Sequence, residues 1–522
     1  MGNISKIRQF MESEGLNFLL VNSTNEFLVE YNTLEENSRY KLTKFSGSTG
    51  EALVTQDNIY LFVDGRYHIQ ADQEVNHNEV SVIKLQTGEN YITKLLSLIP
   101  ENETLGIFSK KNSQKKYEEL SSKRKIKLLI NDPLDEAFAE NLSENVSLDV
   151  SLTGKSKNEK ISEIQKLMSD NEILYLTDLD EVSYLFNQRN FSRNFSAKIK
   201  AKALIFKSSA SLFYPEDFNY LYGILKDSDK EILVDKASVT AYDYGLLRYP
   251  KEMKNSPVKL MKSKKNEAEL LHMKAAFART DKAVCAIREY IESNDNLSEY
   301  DISVQLEKEF KKQGALGLSF KSIIAKDKNS ALAHYSKSSK DEIITDGSLV
   351  LIDCGAYFEG GLATDITRVF VKGEPSGLHK KIYTLVLKAF LNAFNYAKTH
   401  SIRPVIGFDI DRYVHEFFDN SDTEGFVFNH GLGHGIGINV HEYPPNLSTN
   451  EIAKVPIEEG MCFSIEPGLY KEGFFGVRLE NSCYFKDNDI HSFVKMNYES
   501  KLINYDMLTE QEKEWLSEFE VK

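Results

Sequence analysis

Alternation of apolar and polar residues predicts strands early in the chain. Glu51 to Val63, EALVTQDNIYLFV, holds two alternating runs around the polar triplet Gln56-Asp57-Asn58, the pattern of an antiparallel hairpin. Ahead of it, Ile4 to Phe10 opens an amphipathic helix. The polar stretch 140–160 reads as a linker into a new helix, whose pattern covers 155–169. ILYLTD (173–178) and ALIFK (203–207) have the length and apolarity of buried strands. A long helical pattern begins at MKSKKNEAELLHMKAAFARTDKAVCAIREYIE, where Leu270, Met273 and Phe277 form a core stripe. Further helices and several Gly-rich strands follow to the C-terminus. The pattern predicts a mixed α/β (α+β) fold. At 522 residues the chain exceeds one ordinary core, and the pattern divides it into 1–148, 149–258 and 259–522.

Composition excludes several function classes. A formal net charge of −14 argues against nucleic acid as a partner, since polyanion binding needs clustered cations. The lysine runs at 110–116 and 262–265 are short, flanked by acids, and read as solvated helix faces. No apolar run is long enough for a membrane span, and the N-terminus lacks the apolar core of a signal peptide. The four cysteines are scattered, without a Cys-x-x-Cys pair. They fit small buried apolar groups in a reducing cytoplasm, and a zinc–cysteine cluster is not available.

The unusual chemistry falls in the last 265 residues. Asp353 ends the apolar run SLVLI, and a carboxylate there must be paired or coordinated. Asp365 lies twelve positions on, beyond a Gly360-Gly361 turn, so a hairpin could bring both acids to one point. His434 sits in NHGLGHGIGINVHE, where the glycines make a helix improbable. Glu466 follows MCFSI, and Glu480 closes the strand-like GVRLE. A lone acid at a strand end is usually a cap or salt-bridge partner, and Arg368 and Arg478 could supply such bridges. A lone histidine in a Gly-rich loop is usually structural. Together, four carboxylates and an imidazole form a hard, oxygen-rich set suited to two divalent ions. Without cations such acids would repel each other and protonate. With two ions they would activate a water and polarise a carbonyl, with Glu466 as proton acceptor and donor.

These residues resemble the pita-bread metallopeptidases, specifically the three-domain Xaa-Pro aminopeptidases (aminopeptidase P). The matching strings are NSALAHYS, LIDCGAYFEGGLATDITR, NHGLGHGIGINVHEYP, FSIEPGLY and FGVRLEN. KFSGSTGEALVT and LFVDGRYHIQA resemble the family's N-terminal domain, and LDEVSYLFNQR its middle domain. The resemblance implies two creatinase-like α/β domains before a pita-bread catalytic domain. It implies Asp353, Asp365, His434, Glu466 and Glu480 as ligands of two divalent ions, Mn²⁺ first, with Zn²⁺ or Co²⁺ as alternatives. His334, His430 and His441 are implied to surround the substrate, and Arg478 to support the ligands. Glu466 is implied as acid and base. Removal of an N-terminal residue ahead of proline, a cytoplasmic location and a homodimer through the catalytic domain complete the expectation. No nucleic acid and no membrane partner is expected.

The sequence also departs from the family. The Asp353–Asp365 spacing is one residue longer than usual, which predicts a bulge in the hairpin. Asp327-Lys328-Asn329 stands where the family has Gly-x-Asn, and Tyr184 where Trp is common. Two alternatives remain open: a prolidase-type dipeptidase, and a catalytically dead pita-bread binding protein. The remaining histidines, His68, His77, His272, His379, His400, His415 and His491, read as surface or core residues.

Overall fold

The hairpin read from Glu51 to Val63 forms: strands Glu51–Val54 and Ile59–Val63 pair antiparallel, with Val54 opposite Ile59. The computed structural model describes residues 2–86, 89–135, 144–400 and 403–520. It contains two compact units. Met1–Ser147, Lys155–Gln188 and Lys198–Val258 form the first, and Leu148–Gly154, Arg189–Ala197 and Lys259–Lys522 the second.

The first unit holds two mixed sheets. In the six-stranded one, Phe18–Val21 lies antiparallel to Glu51–Val54 and parallel to Thr104–Phe108. Helix Asn3–Ser13 covers it with Ile7 and Met11, both buried. In the five-stranded sheet the two apolar runs pair as Glu172–Leu176 and Lys202–Phe206. The polar stretch 140–160 is not all linker: helices Val150–Thr153 and Lys157–Lys166 form within it, and 140–143 lies outside the described residues. The reason is local, because Ser156 and Glu159 close a capping box that satisfies the first turn of the second helix.

The second unit begins with helix α1 (Glu267–Ser293), capped by Asn266 and Glu269, which buries Leu270, Met273 and Phe277 as the stripe required. Helix α2 (Glu299–Lys312) follows. Strands β1 (Ile323–Lys326), β2 (Leu349–Cys354), β3 (Ile366–Val371), β4 (Gly433–Gly435), β5 (Glu442–Leu447) and β6 (Cys462–Ile465) come next. After β6 come β7 (Gly468–Lys471), β8 (Phe475–Arg478), β9 (Glu480–Lys486) and β10 (Asp489–Ser492). The main sheet runs β1-β2-β3-β9-β6-β4-β5, with β10 beside β9, while β7 and β8 form a separate hairpin. Helices α3 (Gly377–Phe394) and α4 (Gly407–Asp419) pack Ile382, Val386, Phe390 and Ile410 against Leu351, Val369 and Phe463 of the sheet. Among the described residues no helix is long and apolar enough to cross a membrane.

Leu148–Gly154, which straddles the expected boundary at 148/149, and Arg189–Ala197, expected in the middle domain, group with the second unit. Hydrogen bonds account for this: Asn266 Nδ2 donates to the Thr153 carbonyl at 2.9 Å, and Arg189 Nε to the Gly361 carbonyl at 3.3 Å.

Candidate metal centre

Strand register alone brings the acids to one face. Thr367 on β3 is opposite both Asp353 on β2 and Glu480 on β9. Asp365 precedes β3, two positions from Thr367, and side chains two apart share a face. Glu466 directly follows β6, whose last residue, Ile465, is opposite Asn481, neighbour of Glu480. His434 lies next to Gly435, which is opposite Phe463 on β6. The glycines of β4 permit this approach: a Cβ at Gly433 would stand 2.0 Å from the Ser464 carbonyl oxygen.

The hairpin between the two aspartates carries no bulge. Its register runs unbroken from Leu349–Val371 to Cys354–Ile366, and Tyr357 pairs with Ala363 in the same register. The extra residue sits in the tip, 358–362, where it interrupts no rung of the ladder. There Gly361 takes a left-handed φ of 61°, and His272 Nε2 accepts the Gly360 N–H at 3.1 Å. Glu480 corrects a second expectation. The run GVRLE is split, so Glu480 opens β9 rather than closing a strand.

Asp353, Asp365 and Glu480 are buried in protein, Glu466 is half-buried, and donors reach only part of the four carboxylates. One ligand atom each from Asp365, His434 and Glu480 lies within 4.8 Å of the others. His434 Nε2 is 3.6 Å from Asp365 Oδ2 and 3.4 Å from Glu466 Oε1. His434 Nδ1 faces the Gly435 carbonyl at 3.0 Å, an acceptor only, so Nδ1 carries a proton and Nε2 is the ring nitrogen turned toward the acids. Asp353 Oδ1, Asp365 Oδ1 and Glu480 Oε1 are buried and accept no hydrogen bond. Buried oxygens left in this state are costly unless a cation completes them. The donor set, hard oxygens with one imidazole, fits divalent metal.

The electrostatics agree. Burial, then repulsion from Glu480, Asp353 and Glu466, holds the Asp365 carboxyl far above the ordinary range. Burial, then Glu466 and Asp353, does the same to Glu480. Glu466 is pushed up to about 7, mainly by burial, with Arg478 pulling the other way. Burial also raises Asp353, against the pull of Arg478. Arg478 itself is buried, which disfavours its charge, but Tyr470, Asp353 and Glu466 hold it firmly protonated.

A second ring of residues aims these groups. Arg478 donates to Asp353 Oδ2 at 2.5 Å, Thr367 Oγ1 at 3.1 Å, the Ala333 carbonyl at 3.1 Å and the Tyr470 hydroxyl at 2.8 Å. The Thr367 hydroxyl in turn donates a hydrogen bond to Glu480 Oε2 at 2.7 Å. Ser464 Oγ accepts the His434 N–H at 3.1 Å and donates to Glu466 Oε1 at 3.1 Å.

Of the other expected residues, His441 stacks edge-on against His434 at 4.3 Å, which brings it to the cluster. His430 reaches it through Tyr470, whose hydroxyl lies 2.8 Å from His430 Nε2. His334 follows Ala333, the residue that Arg478 grips. Sequence reasoning passed over Tyr470 and Thr367 although both lie in the quoted strings; a hydroxyl two to four positions from a buried acid was the available signal.

Three further expectations need correction. Lys262 and Lys265 are not a solvated face: both are buried, each 3.2 Å from Glu442 Oε2. Lys111, from the other run, is buried against Asp132 at 2.8 Å. In both places a distant acid supplies the charge that burial demands. Cys354, Cys462 and Cys483 are buried as expected, but Cys285 is exposed on the outer side of α1. The seven remaining histidines make ordinary packing or backbone contacts, such as His68 with the Leu85 carbonyl at 2.9 Å.

Known proteins place this arrangement. Residues 271–487 match the model of metallopeptidase family M24, and 3–130 and 136–269 match two models of the creatinase/prolidase N-terminal domain. The chain is 28% identical to Xaa-Pro aminopeptidase 1 of Dictyostelium discoideum, over 99% of this chain and 91% of that protein. It is 27% identical to a probable Xaa-Pro aminopeptidase P of Sordaria macrospora, over 98% and 94%. The fold superposes on the X-prolyl aminopeptidase of Caenorhabditis elegans with a TM-score of 0.88 at 20% identity, covering 99% of this chain and 94% of the other. The mixed fold is therefore that of two creatinase-like domains and a pita-bread domain, and residues 271–487 form a domain of metallopeptidase family M24.

Proposed function

We propose that this chain is a metal-dependent aminopeptidase that releases the N-terminal residue from peptides with proline in second place. The single observation that carries the reading is five ligand-type side chains on one sheet face, three with buried oxygens that no protein donor satisfies. Asp353, Asp365, His434, Glu466 and Glu480 would hold two divalent ions. Such ions supply a water acidic enough to attack at neutral pH and a polarised scissile carbonyl.

The chain's own residues do the remainder. Glu466, aimed by the Ser464 hydroxyl and 3.4 Å from His434 Nε2, takes the proton of the attacking water and returns it to the departing proline nitrogen. Arg478 fixes Asp353, and through Thr367 it fixes Glu480, so neither acid rotates away. His334, His430 and His441 orient the substrate. A proline amide has no N–H, so recognition cannot use that donor and must grip the ring and the flanking carbonyl.

The full-length likeness to relatives named Xaa-Pro aminopeptidase supports this choice over a dipeptidase. Mn²⁺ as the ion and a homodimer through the catalytic domain belong to the same proposal. A cytoplasmic location joins them on the likeness to the Caenorhabditis elegans protein, described as a cytosolic enzyme with a di-nuclear active site. The division into 1–148, 149–258 and 259–522 is supported by two separate sheets in the first unit and three family matches. The test is release of arginine from Arg-Pro-Pro and from Arg-Ala-Ala by Mn²⁺-loaded protein, with metal content measured alongside. The expected result is about two ions per chain and fast cleavage of the proline peptide alone. Equal rates on both peptides refute the specificity.

A further inference from the structure

Glu299, first residue of α2, is wholly buried and is not one of the clustered acids. Its carboxylate is saturated. Oε1 accepts the Lys326 N–H at 2.7 Å and Asn329 Nδ2 at 2.9 Å; Oε2 accepts the Tyr335 hydroxyl at 2.8 Å and the Ser339 N–H at 2.9 Å. These four donors come from both ends of one loop, and His334 lies between them.

The other side of that loop is pinned to β8. The Gly476 N–H donates to Ser330 Oγ at 2.8 Å, and Arg478, which also grips Asp353, donates to the Ala333 carbonyl. The loop opens at Asp327, where φ is 40°, in the left-handed region that explains a family glycine at this position. Here Asp327 Oδ1 holds that conformation by accepting the Leu349 N–H at 2.8 Å. His334 is thus carried on a strap fastened to the metal-centre scaffold on one side and to Glu299 on the other.

We propose that Glu299 is the positioning residue for His334. It anchors the strap that presents this imidazole to the substrate, and it touches no substrate itself. The inference rests on the substrate-facing reading of His334.

A double-mutant cycle on the Mn²⁺-loaded full chain with Arg-Pro-Pro tests it. Glu299→Gln replaces an acceptor oxygen with an amide that faces N–H donors. The expected loss in kcat/KM is about 10- to 100-fold, with metal content unchanged. In a His334→Ala background the same substitution costs less than about twofold, because the group it positions is gone. Equal losses in both backgrounds, or no loss in either, overturn the proposal.

A second readout is independent of turnover. In ¹⁵N-histidine spectra the His334 ring signal, assigned by its loss in His334→Ala, shifts or broadens in Glu299→Gln while the His434 and His441 signals stay. An unmoved His334 signal also overturns the proposal. If His334→Ala alone left kcat/KM unchanged, the substrate role of His334 would fall, and the service of Glu299 to the reaction with it. The spectrum would still report separately whether Glu299 holds the ring. Should Glu299→Gln not yield folded protein, Tyr335→Phe removes one donor and carries the same cycle, with an expected loss of about fivefold.

Discussion

Two sets of buried carboxylates lie within the metallopeptidase unit, and they are finished in opposite ways. Glu442 Oε2 meets two buried lysines, while Oε1 accepts the Ile438 N–H at 2.7 Å. Glu299 takes four donors. Asp353, Asp365 and Glu480 are as deeply buried, yet each keeps one oxygen with no donor. Burial is the same; saturation differs. An acid that the protein completes is part of the scaffold, whereas an acid left incomplete among other acids requires a cation from outside.

The sharpest way to break this contrast is chemical. Glu466→Gln keeps size and most hydrogen bonding but cannot hold the proton, so kcat falls by about 10²–10⁴-fold. Metal content, measured by plasma emission, stays close to that of the parent. Activity within tenfold of the parent would remove Glu466 from the acid–base role.

Stability distinguishes the two sets more directly, because matched substitutions have opposite signs. Glu442→Gln strands Lys262 and Lys265 in the interior without an anion and destabilises by about 3–5 kcal/mol in urea unfolding. Glu480→Gln in metal-free protein removes the cost of holding this carboxyl against burial and against Glu466 and Asp353, and at pH 7 stabilises on the order of 1 kcal/mol. The same Glu480 variant loses metal. Destabilisation by both substitutions would erase the distinction.

A smaller effect concerns pH. The Glu466 pKa is raised in the fold from 4.5 to about 7. A raised folded-state value means the metal-free fold is favoured below about 4.5 and loses that advantage as pH climbs through 7. Bound metal keeps the carboxylates ionised and removes that loss. The gap in melting temperature between loaded and metal-free protein therefore widens by several degrees from pH 5 to pH 7. A constant gap would show that the cluster does not titrate with metal release.

The order of acids and strands was legible because a carboxylate after four or five apolar residues is anomalous in any context. SLVLI before Asp353 and MCFSI before Glu466 both form strands with the acid at or just past the end. The hairpin tip was legible as a turn from Gly360-Gly361, but the expected bulge was not there. A local count of residues cannot say whether an insertion falls in a ladder or in its loop. The lysines were misread for a different reason. Their burial is decided by Glu442, 177 positions from Lys265, and no local pattern carries that information. Tyr470 and Thr367 act by aiming other side chains, which leaves no imprint on hydrophobic periodicity.

The close passage of β4 over its neighbours also bears on engineering. A methyl at Gly433 would strike the Ser464 carbonyl, and one at Gly437 would come within 2.4 Å of the Glu442 carboxylate. Saturation libraries at positions 433, 435 and 437 should therefore return almost nothing but the parent glycines. Altered peptide preference must be sought where backbone and metal scaffold do not interlock, as at Val427, which is 55% exposed three residues before His430.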